Sequence, residues 1–475
     1  MHRFCLRRQL MAAVAVLAVC AVDRAQALTL EQSIAAALQT NPSIGQAIEN
    51  RRATEWELRQ ARGLFLPRVD VEASTGAREL DSPARRGAGL VGSTLYPQEV
   101  GAVIQQSLIN LGSRAEIEYQ ASRVDGASLR VLERSENIAL QVALAYHEIL
   151  LKETIVRLSR ENIGFHDLLL GDIRRGTSGG TLTIADQRQG EERAFAARSR
   201  QVEANEELEA AQIRFIRLVG APVGMTAPVR PLGGSVPADI NQAVATLAQR
   251  NPTIRLADAD IDSQQSLVSK ARADFWPTLG LELRARTGHD IDGIQDRTSD
   301  AQALVVFRWQ LYNGVRDANI QEQISRVGEE WMRFYETRRT IEEELRTAYS
   351  RRNEQTILLS FLDPQLAANR DVVQAYRDQF TVGRRSLLDL LNAQNTYYSV
   401  QVLVETARSA ISFAEYRIVS ADGRLLASLN QTPPQESAAI ARENASLPDK
   451  PAYETIERKT PPPLDGAGRG YFGKL

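Results

Sequence analysis

Residues 380–395 read FTVGRRSLLDLLNAQN and interrupt a region whose sequence is otherwise helical. Gly383 breaks the helical pattern, and Ser386, followed three residues later by Asp389, is typical of a new helix N-terminus. A second stretch, Gly180 to Asp186, has the same glycine-to-aspartate spacing and lies 203 residues earlier. The sequence therefore predicts two long helical hairpins, each with one of these stretches at its tip.

The rest of the chain repeats in the same way. Matching residues stand at fixed offsets: Asn41 and Asn251, Phe65 and Phe275, Tyr146 and Tyr349, Gly180 and Gly383. The first two pairs are 210 residues apart and the last two 203 apart, and the change falls in a polar loop. A single change of offset within a loop is what a tandem duplication with one loop-length difference produces.

We therefore divide the chain into five segments. Residues 1–27 form a signal peptide, 28–220 the first repeat, 221–237 a linker, 238–429 the second repeat and 430–475 a proline-rich tail. The tail has no hydrophobic period, which predicts a mobile segment or one draped over the surface. Helical periodicity without proline from residue 113 to 176 predicts a helix on the order of 95 Å long. Pro364 predicts a kink or break in its counterpart.

Each repeat also contains two segments in which the hydrophobic period changes to 2. Val69 and Val71, for example, alternate with Asp70 and Glu72. This pattern predicts strands at about 68–77, 100–109, 278–287 and 301–311. Such strands suit either a sheet on a soluble core or a membrane barrel with a lipid face and a lumen face. Four strands cannot close a barrel, so a spanning barrel would need several chains.

The N-terminal segment has the features of a secretory signal. Arg3, Arg7 and Arg8 precede an apolar run, and Ala25-Gln26-Ala27 forms a cleavage site. Cleavage would remove both cysteines, so no disulfide or thiolate chemistry is expected in the mature chain. It would also remove four arginines and one aspartate, which takes the net charge from −2 to −5 and argues against nucleic-acid binding.

No catalytic or metal-binding constellation is present in the sequence. The histidines that would remain after cleavage, His147, His166 and His289, are far apart and lack ligand spacing. We therefore expect no enzyme activity, no cofactor and no metal. The amphipathic helices suit either a solvated coiled coil or the wall of a water-filled tunnel formed by several chains, and their periodicity does not separate the two.

The signal, the tandem hairpins, the FLP and FWP runs before the strands and VGRRSLLDLLNAQN at the second tip together resemble the TolC family of outer-membrane efflux and secretion ducts. The resemblance covers residues 28–430. It implies a mainly α fold with a membrane β-barrel, in which three chains form a 12-stranded barrel continued by a long periplasmic α-helical barrel. The chain would lie in the outer membrane of a Gram-negative bacterium, with its helical part in the periplasm.

The resemblance also implies roles for individual residues at the tips. The periplasmic gate would comprise Asp389, Arg385, Phe380, Asn392 and Asp186. Asp389 matches an acid that rings the entrance, and Arg385 a basic latch residue. Asn392 stands where a second ring acid can occur, so the ring would carry half the charge. The alternative for Asp389 is an acid in the first helical turn that the helix dipole favours.

Docking of a periplasmic adaptor would involve Val382, Gly383, Ser386 and Gly180. The implied function is a passive, trimeric exit duct that works with this adaptor (membrane fusion) protein and an inner-membrane ABC transporter, or an RND pump, in contact with outer-membrane lipid. The RSLLDLLNAQ run most resembles members that serve type I secretion of adhesins or agglutination proteins. Drug or metal efflux is the alternative, and a soluble periplasmic coiled-coil scaffold is a remote one.

Overall fold

A computed structural model describes residues 29–445 except 91 and 294. The predicted signal peptide and residues 446–475 of the predicted tail lie outside these residues. The elements of the first repeat are α1 (Leu30–Thr40), α2 (Pro42–Gly63), β1 (Arg68–Thr75), α3 (Pro83–Gly87), β2 (Gln98–Ile109), α4 (Leu111–Ser178) and α5 (Ile184–Val219). Apart from the short α3, the second repeat has the same order.

The elements of the second repeat and of the segment after it are α6 (Ile240–Arg250), α7 (Pro252–Ala273), β3 (Thr278–His289), β4 (Arg297–Arg308), α8 (Val315–Thr381), α9 (Leu387–Ala421), α10 (Leu425–Ser428) and α11 (Ala441–Asn444). Both repeats start a helix at an Asn-Pro pair. The Asn251 side chain accepts hydrogen bonds from the N–H groups of Thr253 and Ile254, and Pro252 takes the first helical position.

The four strands form one antiparallel sheet in the order β1-β2-β3-β4. The pairing places Val71, Ala102, Ala285 and Ala301 in one row across the sheet. The neighbouring row contains Glu72, Gly101, Arg286 and Asp300, which therefore project from the opposite face. One face of the sheet is thus apolar and the other charged, as the alternation predicted. Strand β4 begins at Arg297, earlier than expected, because Thr298 and Ser299 pair with Gly288 and Thr287.

The chain divides into two compact units, and these differ from the two repeats. One unit contains residues 29–45, 134–250 and 342–433, and we call it the tip unit. The other contains 46–133, 251–341 and 434–445, and we call it the sheet unit. Each unit takes segments from both repeats, so the duplicated sequence does not correspond to two separate domains. Within the described ranges, no helix has the length and apolar composition needed to cross a membrane.

The predicted linker is anchored to the tip unit rather than hanging between the repeats. The hydroxyl of Tyr146 donates to the carbonyl of Ala227 (3.1 Å). The hydroxyl of Tyr416 donates to the carbonyl of Arg230 (2.7 Å), and that of Tyr349 to the carbonyl of Pro237 (2.7 Å). Tyr146 and Tyr349 are repeat-equivalent residues, so the duplication supplies two of the three anchors.

Helix α8 runs without a break from Val315 to Thr381, so the break that was one of the two expectations at Pro364 does not occur. Proline removes one helical hydrogen bond, but packing on both sides of it can hold the helix together. Leu362 is buried against Val400 and Val404 of α9, and Leu366 packs against the same cluster. Contacts with α9 therefore flank the proline on both sides.

The described part of the predicted tail makes specific contacts with other segments. Residues 430–445 do not extend freely: the N–H groups of Ala441 and Arg442 donate to Asp125 of α4. Ala441 and Ala445 pack against a buried cluster of Leu58, Ala121 and Val124. Alanines and one paired arginine leave no apolar period, which explains why the sequence did not predict this packing.

Glu136, in helix α4 of the first repeat, is buried against the end of the second repeat. Its carboxylate accepts the N–H of Leu426, at the start of α10, over 3.4 Å. Burial raises the pKa of Glu136 from 4.5 to about 7, although the hydrogen bonds from Leu426 and Leu425 oppose the rise. Between pH 4.5 and 7, the folded chain therefore keeps a proton on Glu136 that the unfolded chain has lost.

We predict that Glu136→Gln changes how stability depends on pH. Because the folded pKa lies above the unfolded one, the ionised carboxylate destabilises the wild type above pH 7, and this cost disappears as pH falls toward 4.5. The full effect is about 3 kcal/mol. The variant should gain heat stability relative to wild type as pH rises from 5 to 8, measured by thermal unfolding in detergent. Parallel curves for the two proteins would contradict the prediction.

Candidate functional site: the two hairpin tips

Both tips end their first helix with the same backbone motif. In the first tip, Gly180 has a φ of +76° and donates its N–H to the carbonyl of Thr177 (3.2 Å). The N–H of Thr181 donates to the carbonyl of Gly176 (2.9 Å). This pair of bonds is a Schellman motif, which satisfies the last carbonyls of α4 and requires a left-handed residue.

The second tip repeats this geometry. Gly383 has a φ of +71° and donates to the carbonyl of Phe380 (3.0 Å), and Arg384 donates to the carbonyl of Gln379 (2.8 Å). A Cβ atom added at Gly383 or Gly180 would meet no atom within 4 Å. The glycines are therefore required by backbone conformation and not by crowding. The glycine-to-aspartate spacing that the two tips share is thus the spacing of one helix–turn–helix motif used twice.

The second helix of each tip begins with a hydroxyl N-cap, as predicted for Ser386. In the first tip Thr183 and Asp186 form a capping box: the Asp186 N–H donates to the Thr183 hydroxyl (3.1 Å), and its carboxylate accepts the Thr183 N–H (2.9 Å). Hydrogen bonds from the backbone and hydroxyl of Thr183 lower the pKa of Asp186. Asp186 is therefore ionised and occupied within its own turn.

Asp389 makes a different set of contacts from Asp186. Ser386 accepts the Asp389 N–H (3.2 Å), so Asp389 lies in the first turn of α9. Its carboxylate instead pairs with Arg385, with Nη1 and Oδ2 3.6 Å apart. The equivalent acids of the two tips thus have different partners, and only the second tip has an arginine before its N-cap.

Arg385 is held by three side chains of its own hairpin. Its guanidinium lies 4.1 Å from the ring centroid of Tyr376, and its Nε donates to Gln379 Oε1 (3.1 Å). The third partner is Asp389. Among the described residues, no contact joins Arg385 to Asp186. The sequence singled out Arg385 and Asp389, which the structure brings together, but not Tyr376 and Gln379, whose three-residue spacing along α8 places them on one face.

The tips rest on a shared apolar cluster of the tip unit, which we call the tip core. Its buried members are Leu169, Ile173, Val373, Leu387, Leu390 and Leu391. Phe380 is partly buried against this cluster, so its described contacts are those of packing. Elsewhere in the same unit, the buried side chains of Gln394 and Asn162 are hydrogen-bonded at 2.9 Å. Residues from both hairpins therefore meet at the tips.

The remaining predicted residues are at the surface. Val382 is 67% exposed, and Asn392, Gly383 and Ser386 are also exposed. Arg384 is exposed as well, and its side chain has no partner in the part of the chain that the structure describes. The same part contains no group of His, Cys, Asp or Glu that could hold a metal ion. The tips thus offer an apolar and basic outer surface and a paired arginine behind it.

Comparison with known proteins gives consistent results. The family described as outer membrane efflux protein matches residues 33–221 and 243–424. Outer membrane efflux protein BepC of Brucella suis is 21% identical over 408 residues, 84% of this chain and 86% of that protein. Alkaline protease secretion protein AprF of Pseudomonas aeruginosa is 23% identical over 416 residues, 85% of this chain and 84% of that protein.

Among solved structures, the CmeC outer membrane channel of Campylobacter jejuni is similar, with a TM-score of 0.73 and 15% identity. The match covers 88% of this chain and 90% of that one. This likeness confirms the fold class that the sequence resemblance predicted.

Proposed function

Because the chain belongs to the outer membrane efflux protein family, we propose that it is the exit duct of a tripartite transport system, gated at its two hairpin tips. The observation that supports the gate is the set of contacts around Arg385. Through its contacts with Tyr376, Gln379 and Asp389, the Arg385 guanidinium joins the end of α8 to the start of α9. The free energy needed to break three weak contacts is small, which suits a gate that a partner opens.

The duct is proposed to be a homotrimer. Strands β1 and β4 are the edges of the sheet, and each presents unpaired backbone groups. Apolar side chains such as Val71 (73% exposed) and Val305 (68% exposed) stand uncovered on the strands. Pairing of β4 with β1 of the next copy would be antiparallel and would remove both edges. Three copies is the number that the family resemblance implies.

The partners are proposed to be a periplasmic adaptor and an inner-membrane transporter, which supplies the energy. The adaptor would dock on Val382, Gly383, Ser386 and Gly180. We propose type I protein secretion as the process, with an ABC transporter, because the chain resembles a protein named for alkaline protease secretion and has the RSLLDLLNAQ run at the tip. The similarity to a protein named for efflux keeps small-molecule efflux, with an RND pump, as the second candidate.

The test is deletion of the gene with two assays, one for large proteins in the culture medium and one for drug sensitivity. Loss of a secreted protein without a change in drug sensitivity is expected, and the reverse result would favour efflux. Complementation with Val382→Asp should leave export about tenfold or more below wild type, because burying an unpaired carboxylate in an interface costs several kcal/mol.

Met225→Asp is the matched control for this variant, since Met225 is equally exposed (74%) but lies in the linker. It should restore export fully. Equal amounts of oligomer in the outer membrane must be shown for both variants. Full export by Val382→Asp would contradict docking at the second tip while leaving the duct itself untouched.

A further inference from the structure

The C-terminal segment 434–445 contacts helices of both repeats within the sheet unit. Glu436 pairs with Arg52 of α2, with Oε1 and Nη2 3.0 Å apart. Asp125 of α4 accepts the N–H groups of Ala441 (2.6 Å) and Arg442 (3.1 Å). The segment thus reaches two helices of the first repeat through one ion pair and two backbone hydrogen bonds.

Arg442 adds the connection to the second repeat. Its Nη1 lies 3.4 Å from Oδ2 of Asp262, in α7. Both side chains are mostly buried, at 18% and 22% exposure, so this pair is screened less than an ordinary surface pair. Asp125 and Asp262 come from different repeats, and the C-terminal segment supplies a cation and two N–H donors to them.

Apolar contacts support the polar ones. Ala441 and Ala445 lie one helical turn apart and pack against Leu58 of α2 and Ala121 and Val124 of α4. Small side chains allow the segment to lie close to these helices. Glu443 and Asn444, on the other side, are exposed. The segment therefore has one bound face and one solvent face, as expected for a specifically seated element and not for an arbitrary loop.

The helices that the segment contacts lie next to the strands along the chain. Helix α2 ends at Gly63 and β1 begins at Arg68, and α7 ends at Ala273 before β3 begins at Thr278. The two helices are repeat equivalents, and each leads directly into the first strand of its repeat. An element that contacts α2, α4 and α7 therefore joins the helices that lead into β1 and β3 to the helix that follows β2.

We propose that residues 434–445 are an intramolecular strap, seated against α2, α4 and α7 and recognised mainly through Arg442. The strap joins helices of both repeats within the sheet unit, and residues 446–475 are not needed for it. This inference concerns the stability of the sheet unit and does not depend on the proposed transport function.

The test compares three chains in detergent: the full chain, a chain ending at Ala445 and a chain ending at Pro433. Tryptic cleavage between residues 46 and 133 reports on the sheet unit. The chain ending at Ala445 should be cleaved at the full-length rate, and the chain ending at Pro433 about tenfold faster, because local opening becomes easier. Equal rates for all three chains would overturn the proposal.

A synthetic peptide of residues 434–445, blocked at both ends, should restore resistance to the chain ending at Pro433 in a saturable manner. The same peptide with Arg442→Ala should fail, and the peptide with Glu443→Ala should succeed, because Glu443 is exposed. Equal rescue by the two altered peptides would overturn the role of Arg442.

Should the chain ending at Pro433 fail to fold, the same two substitutions in the full chain decide the question. Arg442→Ala should then be cleaved several-fold faster than Glu443→Ala. Equal cleavage would reject the strap. Export and oligomer formation are measured in parallel, so that failure of the strap and failure of the duct remain distinguishable.

Discussion

Replacing Arg385 with Ser is expected to raise the closed-state conductance of the oligomer in planar bilayers by about fivefold to tenfold. The substitution removes the stacking on Tyr376, the hydrogen bond to Gln379 and the ion pair with Asp389. All three are partly exposed, so together they contribute about 1–1.4 kcal/mol. A shift of that size in a closed–open equilibrium changes the open population by about the stated factor.

Arg384→Ser is the matched control, because it removes the same charge one residue away. The Arg384 side chain is exposed and has no partner among the described residues, so the hairpin should keep its direction. The conductance of this variant should stay within about twofold of wild type. An equal rise in both variants would show that tip charge, and not the contacts of Arg385, controls the current, and no change in Arg385→Ser would reject the latch.

The elements that the sequence predicted well are those whose signals are local. Alternation over Val69 to Glu72 needs only the two-residue period of a strand, and Gly383 with Ser386 needs only the rules of helix ends. The twin tip was predictable for another reason: a duplication repeats local signals at a fixed offset. The family and the fold class came from the resemblance that these motifs carry, and the family match and the similar solved structure confirm them.

The features that were not predicted depend on contacts distant in sequence. Pro364 is a local signal for a break, yet Leu362 and Leu366 pack on α9 and the helix continues. The seat of Ala441 and Arg442 depends on Asp125, more than 300 residues away. The grouping of the chain into a tip unit and a sheet unit likewise follows from three-dimensional contacts that no repeat offset contains.

At the candidate gate, the sequence identified the charged pair but not its setting. Arg385 and Asp389 are one helical turn apart, which a sequence can indicate. Tyr376 approaches Arg385 only because the Schellman turn at Gly383 reverses the chain. Asp186 is the opposite case. It is equivalent to Asp389 in sequence, but its carboxylate accepts a hydrogen bond from Thr183. Equivalent positions in a duplication therefore need not share a role.

Leu390→Ala is expected to have the largest effect on the stability of the tips. Leu390 is fully buried in the tip core, where it joins α9 to Leu169 and Ile173 of α4. Truncating a buried leucine costs on the order of 3 kcal/mol, because the transfer free energy of the removed methyl groups is lost and a cavity remains. Hydrogen exchange of residues 165–173 and 387–395 should therefore speed up about hundredfold.

Leu388→Ala provides the control on the same turn of α9. Leu388 is 45% exposed, so its truncation should cost under about 1 kcal/mol and leave the exchange of residues 165–173 unchanged. The two variants delete the same atoms, and the deleted atoms differ only in burial. Because the tip core holds residues of both hairpins, loosening it should also raise the closed-state conductance, even with Arg385 in place. Rapid exchange together with an unchanged conductance would mean that the gate is set elsewhere than at the tips.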